Sequence, residues 1–279
     1  MAKASLVNEL AKNLVKLKHG FASVYHGTSN IQEIIPVSNS ELFAIDPTHL
    51  DLLHLFASSN PIYYHSYEDK ILDIPCIVYE GDINKYWLNS IQHGSSRAPF
   101  SPTWILSAYV CSLLAQTLDY KQLVDIGSGD GRIAYCAKVL GMDSFGIEID
   151  ETLIKLQHSI ANSTKINYVS NCADAILFDY DSISLTKPAF FIGGLAQMGG
   201  TVLAGGILDH IKNYSLQNFG MVFAGTASEK YSIDPLGKYG WGTLIDKYDL
   251  QTIDTLVLPT AWTFREPDDT YYVFTNYDH

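Results

Sequence analysis

The sequence predicts an α/β protein: a mostly parallel sheet with helices on both faces, preceded by an N-terminal α+β extension. Three features predict it. From Arg97 onward, short apolar runs alternate with helical patterns. A loop with glycine at every second position joins the first of those runs to the next helix. Residues 1–96 show no such regularity. The chain therefore divides into an extension, 1–96, and a regular domain, 97–279. With 279 residues, 47% of them hydrophobic and 17% charged, it can bury a large core, and wholesale disorder is excluded.

In chain order, Leu6, Val7, Leu10, Leu14 and Leu17 recur at helical spacing and predict an amphipathic helix. A loop around Tyr25, His26, Gly27 and Thr28 follows, then strand-like pieces at 31–37 and 71–79 flanking a helix near 47–57. Tyr63, Tyr64, Tyr67, Tyr79 and Tyr86 make this part tyrosine-dense. Ser101 and Pro102 have the form of a helix start, an N-cap hydroxyl with proline in the first turn, for a helix running through Trp104 to about Leu118. Strands are then expected at 122–126, 144–149, 166–169, 189–192 and 220–225, with helices at 132–140 and 151–162. An antiparallel pair, 252–258 with 270–276, closes the sheet.

Eighteen basic residues against 30 acidic give a net charge of −12, which argues against a nucleic-acid partner and favours a basic protein or a small amine. Cys76, Cys111, Cys136 and Cys172 form no CxxC pair and read as neither a disulfide framework nor a zinc knuckle, so a cytoplasmic setting is expected. Lysines and Glu9 interrupt the first residues, unlike a signal peptide. The charge-free stretch from Ala189 to Leu208 carries six glycines and is read as strand, turn and helix rather than a membrane span. The nine histidines show no metal spacing; His49 and His54 miss the i, i+4 pairing of helical ligands, and no metal is expected.

The chemistry is concentrated in Val124-Asp125-Ile126-Gly127-Ser128-Gly129-Asp130-Gly131-Arg132. Glycine lets main chain approach a ligand, and the following helix offers unpaired N–H groups. A dinucleotide loop, GxGxxG, would need glycine where Arg132 stands, so a ligand without pyrophosphate fits better. Glu148 ends the next strand, where a carboxylate can take both hydroxyls of a ribose. Asp174, after the third strand, can reach an adenine amino group.

On these residues the sequence resembles the class I S-adenosylmethionine-dependent methyltransferases, over roughly 97–279. The resemblance implies a Rossmann-like seven-stranded sheet and S-adenosyl-L-methionine as cofactor. By it, Asp125, Gly127, Ser128, Gly129 and Gly131 line the methionine side, Asp130 faces the methionine amine, Glu148 holds the ribose, and Ile149, Ala173 and Asp174 flank adenine. More narrowly, the loop with the Pro99–Thr103 lead-in looks like that of small protein-lysine methyltransferases without a SET domain. Residues 1–96 lie outside the resemblance.

The acceptor belongs at the carboxyl end of the fourth strand. Adenine-directed amino methyltransferases carry an Asn/Asp-Pro-Pro-aromatic run there, whereas this chain has Ile192-Gly193-Gly194-Leu195. Gly193 and Gly194 either present a carbonyl to the acceptor or let the next helix pack closely. Phe100 and Thr103 are candidate lids over the methionine end, or an ordinary core aromatic and helix cap. Trp241 and Trp262 are candidates for an alkylammonium cage, or core. A protein lysine is the expected acceptor. The alternatives are a small-molecule acceptor, transfer of the aminopropyl or aminocarboxypropyl arm of the same cofactor, and a non-catalytic cofactor-binding module.

Overall fold

The computed structural model describes residues 2–84, 86, 100–196, 199–212, 216, 218–226, 236–237, 240–261 and 269–278. Helix α1 (Ala2–Val24) buries Val7, Leu10, Leu14, Leu17 and Phe21 along one stripe. Leu6, expected on that stripe, is 69% exposed. Strand β1 (Ile31–Pro36) is buried along its whole length. Helix α2 (Pro47–Ser59) starts where the Asp46 side chain accepts from the Thr48 N–H at 2.8 Å, with proline in the first turn. Strands β2 (Tyr63–Ile71) and β3 (Ile74–Gly81) complete a small antiparallel sheet in the order β1-β3-β2.

The strand expected at 71–79 is therefore corrected to a hairpin. Leu72 and Asp73, at φ 50° and 66°, make its two-residue turn, and the tyrosine-dense run before them is β2. Such turns usually carry Asn-Gly or Asp-Gly, and Leu-Asp gives no such signal.

The larger sheet contains β4 (Gln122–Ile126), β5 (Asp143–Glu148), β6 (Val169–Cys172), β7 (Pro188–Ile192), β8 (Asn218–Thr226), β9 (Gln251–Pro259) and β10 (Asp269–Asp278). Their order is β6-β5-β4-β7-β8-β10-β9; the contacts from β6 to β8 are parallel, and β10 runs antiparallel to both β8 and β9. The expected seven-stranded, mostly parallel α/β sheet is what forms. After β6 the chain returns to the other side of β4, so the strand order reverses there. A crevice opens at such a point, outside the strand carboxyl ends.

Alternate residues of each strand feed opposite faces. Val124, Phe190, Ile192, Met221 and Phe223 pack with helices α6 (Gly200–Ile211) and α7 (Gly242–Tyr248). Leu123, Phe191, Val222 and Phe274 pack on the other face with α3 (Ile105–Thr117), α4 (Arg132–Val139) and α5 (Glu151–Thr164). The same apolar cluster takes in α1, β1 and α2, through Leu14, Ile34 and Phe56 among others. The extension thus shares a core with the face of the sheet beneath the glycine loop.

Two further expectations are corrected. Helix α3 begins at Ile105, not at Ser101-Pro102; Thr103 is drawn into an isolated bridge with Thr260, and Trp104 occupies the cap position without a side-chain bond. The third strand begins at Val169, three residues later than the expected 166, because Lys165 ends α5 at φ 61° and the chain needs Ile166 to Tyr168 to turn back. The charge-free stretch becomes β7, a glycine turn and α6, and among the described residues no helix is long and apolar enough to cross a membrane.

Candidate functional site

The carboxyl ends of β4, β5, β6 and β7 bring together most of the residues singled out above. The loop leaves β4 through Gly127, Gly129 and Gly131, at φ +66°, +55° and +82°. Gly127 is exposed, and a Cβ built on it would meet nothing within 4 Å, so the main chain at the first glycine is open to approach. Gly129 differs: a Cβ there would lie 2.6 Å from the Phe100 ring, which also meets Tyr86 edge-on at 6.3 Å between ring centres. Phe100 is therefore the roof over the middle of the loop.

The loop is held from beneath by side chains. Glu148, at the end of β5, accepts from the Gly129 N–H at 2.8 Å and from the Asp150 N–H at 3.0 Å. A carboxylate has about four lone-pair positions; with the Ile149 N–H also directed at it, about one remains for a hydroxyl group. Burial raises the Glu148 pKa, and the surrounding N–H groups oppose that rise. Gln157 of α5 donates to Ser128 Oγ at 2.9 Å and to the Gly129 carbonyl at 2.8 Å. Ser128 is thereby turned inward and buried. Ile149, Ala173 and Asp174 are half-buried beside Glu148, across the β5–β6 register that pairs Glu148 with Cys172. The Ala173 N–H reaches the Glu148 carbonyl at 2.9 Å, and Asp174 Oδ1 accepts from the Ile176 N–H at 2.9 Å.

Asp125 lies under the loop, and its Oδ2 is buried without a hydrogen-bond partner. Burial pushes its carboxyl well above the usual carboxylate range; a bond from the Ala134 N–H opposes this, and the nearby charges of Asp130 and Glu148 add to it. Desolvation favours the neutral, protonated carboxyl, so Asp125 is a buried support beneath the loop rather than an exposed anion.

Asp130 was expected to face the methionine amine, but both of its oxygens are engaged elsewhere. Oδ1 accepts from Arg132 Nε at 2.9 Å, and Oδ2 accepts from Arg132 Nη2 and from Asn60 Nδ2, the latter at 2.9 Å. Arg132 Nη1 donates to Glu33 Oε1 at 2.6 Å and to the Thr103 carbonyl. Glu33 also accepts from the Tyr63 hydroxyl at 2.7 Å and from the Ile105 N–H at 2.9 Å, so a carboxylate on β1 caps helix α3. Thr103 pairs its side chain with Tyr272, while Trp104, not Thr103, holds the cap position of α3.

On the acceptor side, Gly193 is exposed at the end of β7 and Gly194 is half-buried. The close packing falls on Gly200, where a Cβ would lie 2.6 Å from the Gly194 carbonyl and 2.8 Å from Trp241. Trp241 is fully buried, stacks on Phe223 at 4.4 Å and donates to the Ala224 carbonyl at 2.8 Å; it is core, not part of a cage. Trp262, the other cage candidate, lies outside the described residues. Among the described residues no group of three or more His, Cys, Asp or Glu is placed to hold a metal ion.

Three residues of this site went unread in the sequence: Gln157, Asn60 and Glu33. Gln157 and Asn60 give no local signal. Glu33 does, as a lone carboxylate inside the apolar run Ile31-Gln32-Glu33-Ile34-Ile35, where burial demands a partner.

No protein-family model matches the chain, and no curated protein is significantly similar to it. Solved structures resemble it at low identity. One, described with the conversion of a disulfide bond into a thioacetal group during echinomycin biosynthesis, is 17% identical over 68% of this chain and 91% of its own, at a TM-score of 0.48. The magnesium protoporphyrin IX methyltransferase of Synechocystis PCC 6803, with bound S-adenosylmethionine, is 11% identical over 62% and 78%, at 0.45. A glycopeptide N-methyltransferase is 9% identical over 57% and 92%, at 0.44.

Proposed function

We propose that the chain is an S-adenosylmethionine-dependent methyltransferase. The observation that carries this is the pairing of an open Gly127 with a Glu148 that closes the neighbouring strand and keeps acceptor capacity to spare. Gly127 gives main-chain ground for the methionine end. Glu148 holds the ribose, Ile149, Ala173 and Asp174 border adenine, and buried Asp125 supports the loop from beneath. Asp130 contributes through Arg132 rather than by contact with that amine.

The bound cofactor would supply an electrophilic methyl group. The protein's share is to hold acceptor and donor in line, which can be worth roughly 7–11 kcal/mol without a dedicated base. Exposed Gly193 and half-buried Gly194 form the floor on the acceptor side, and Phe100 roofs the glycine loop. A protein lysine amino group is the acceptor we favour, because a net charge of −12 steers a basic surface toward the chain.

Calorimetry with S-adenosylmethionine and S-adenosylhomocysteine tests the cofactor. Both should bind, and Glu148→Ala should weaken each by about 1–3 kcal/mol as a charged acceptor is lost. Absence of binding to the unaltered protein would overturn the proposal. Incubating a cell extract with methyl-labelled cofactor then tests the acceptor: label in protein supports lysine, while label confined to RNA or to low-mass material rejects it.

A further inference from the structure

We infer that Glu33, contributed by the N-terminal extension, is a positioning residue of the cofactor site, acting on the glycine loop through Arg132 and Asp130. The inference rests on the methyltransferase reading and extends it to a segment that shares no motif with the loop.

Asp130 sits between Gly129 and Gly131, both at positive φ. Glycines permit that path without enforcing it, so the loop's shape must be imposed from outside. Beside the main-chain bonds from the Gly127 and Ser128 N–H groups to the Ile147 carbonyl, three groups of side-chain contacts impose it. Glu148 fixes the Gly129 N–H, and Gln157 fixes Ser128 and the Gly129 carbonyl; both come from the regular domain. The third hold is on Asp130, and it comes in part from the extension. Asn60, at the end of α2, takes one carboxylate oxygen, while Arg132 takes both and is itself anchored by Glu33.

Nothing in this network is exposed enough to slip into water. The side chains of Arg132, Glu33 and Asp130 are 3%, 0% and 1% accessible. A buried arginine with two carboxylates and a carbonyl has little freedom to choose other partners, because any alternative leaves a charge unmatched. Glu33 is fixed in turn by Tyr63 and by the Ile105 N–H, so α3 and the small sheet move with it. A displacement of β1 therefore reaches Asp130 through two bonds of a rigid chain.

The test is cofactor affinity against stability. Glu33→Gln keeps the size and loses the charge; S-adenosylhomocysteine affinity should fall at least tenfold at a temperature where circular dichroism and gel filtration match the unaltered protein. The double variant Glu33→Gln/Arg132→Gln should bind no more weakly than Arg132→Gln alone, because the two act as one unit. Should Glu33→Gln fail to fold, Tyr63→Phe decides the matter: it removes the hydroxyl that holds Glu33 Oε1 and should weaken binding several-fold. A lowered melting temperature with unchanged affinity in the variant that folds would give Glu33 a structural role alone and overturn the inference. Failure of the unaltered protein to bind would instead overturn the methyltransferase reading.

Discussion

Two cations are buried where the N-terminal extension meets the sheet, and they have opposite surroundings. Arg132 is matched by Asp130 and Glu33 at bonding distance. Burial alone would lower its pKa, but the carboxylates outweigh it and the guanidinium is held charged. Lys18, on α1, has two main-chain carbonyls, of Ala261 at 3.1 Å and Gln32 at 3.4 Å, with the Trp104 ring 5.8 Å away. Burial brings its pKa down to about 7, with the Glu33 charge opposing. Equal depth therefore has unequal consequences: a planar fork that finds carboxylates stays ionised, while a point charge given dipoles holds its proton far less firmly. The difference marks Arg132 as part of a built site and Lys18 as a cost of joining α1 to the sheet.

The largest effect should come from removing the matched cation. Arg132→Met leaves Glu33 and Asp130 buried without their partner, and breaking such a pair costs about 3–5 kcal/mol. Urea denaturation at pH 7 should show that loss. A change well below 1 kcal/mol would mean that the pair is hydrated and that the comparison with Lys18 fails.

Lys18→Met should act in the other direction. Below about pH 7 both folded and unfolded chains carry the Lys18 proton, and the burial penalty is fully present. Between about 7 and the ordinary value of 10.5 the folded chain has released the proton while the unfolded chain keeps it. The unfolded state then binds more protons, and stability rises with pH by about 1.4 kcal/mol per unit from this group. The variant should be more stable than the unaltered protein at pH 7, with that advantage shrinking steadily toward pH 10. A pH-independent difference would place the Lys18 pKa near its ordinary value.

The same contrast shows what could be read from the residues in order. Period and glycine spacing made β4, the loop, β5 and its terminal Glu148 legible, because each is decided within a few positions of sequence. The hairpin at Leu72-Asp73 was not legible, since its turn residues are atypical and its strand is outwardly polar. Nor was Asp130's partner, because Asn60 and Glu33 lie 70 and 97 residues away from it and reach it through folding of the extension. Sequence distance, more than residue type, decided which parts of the site could be read.

The smallest effect is expected at a third charged cluster, one with the same composition of opposite charges but placed in water. Asp119 accepts from Lys187 at 3.0 Å and from Lys121, and the lysines hold its pKa down to about 2. Its side chain is 63% accessible, so solvent and salt screen both contacts. Asp119→Asn should leave the melting temperature at pH 7 unchanged within error and leave cofactor affinity unaltered, even at low ionic strength. A loss approaching that of Arg132→Met would show that proximity of charge, and not burial, governs this protein's ion pairs, and would remove the reason for singling out the network under the glycine loop.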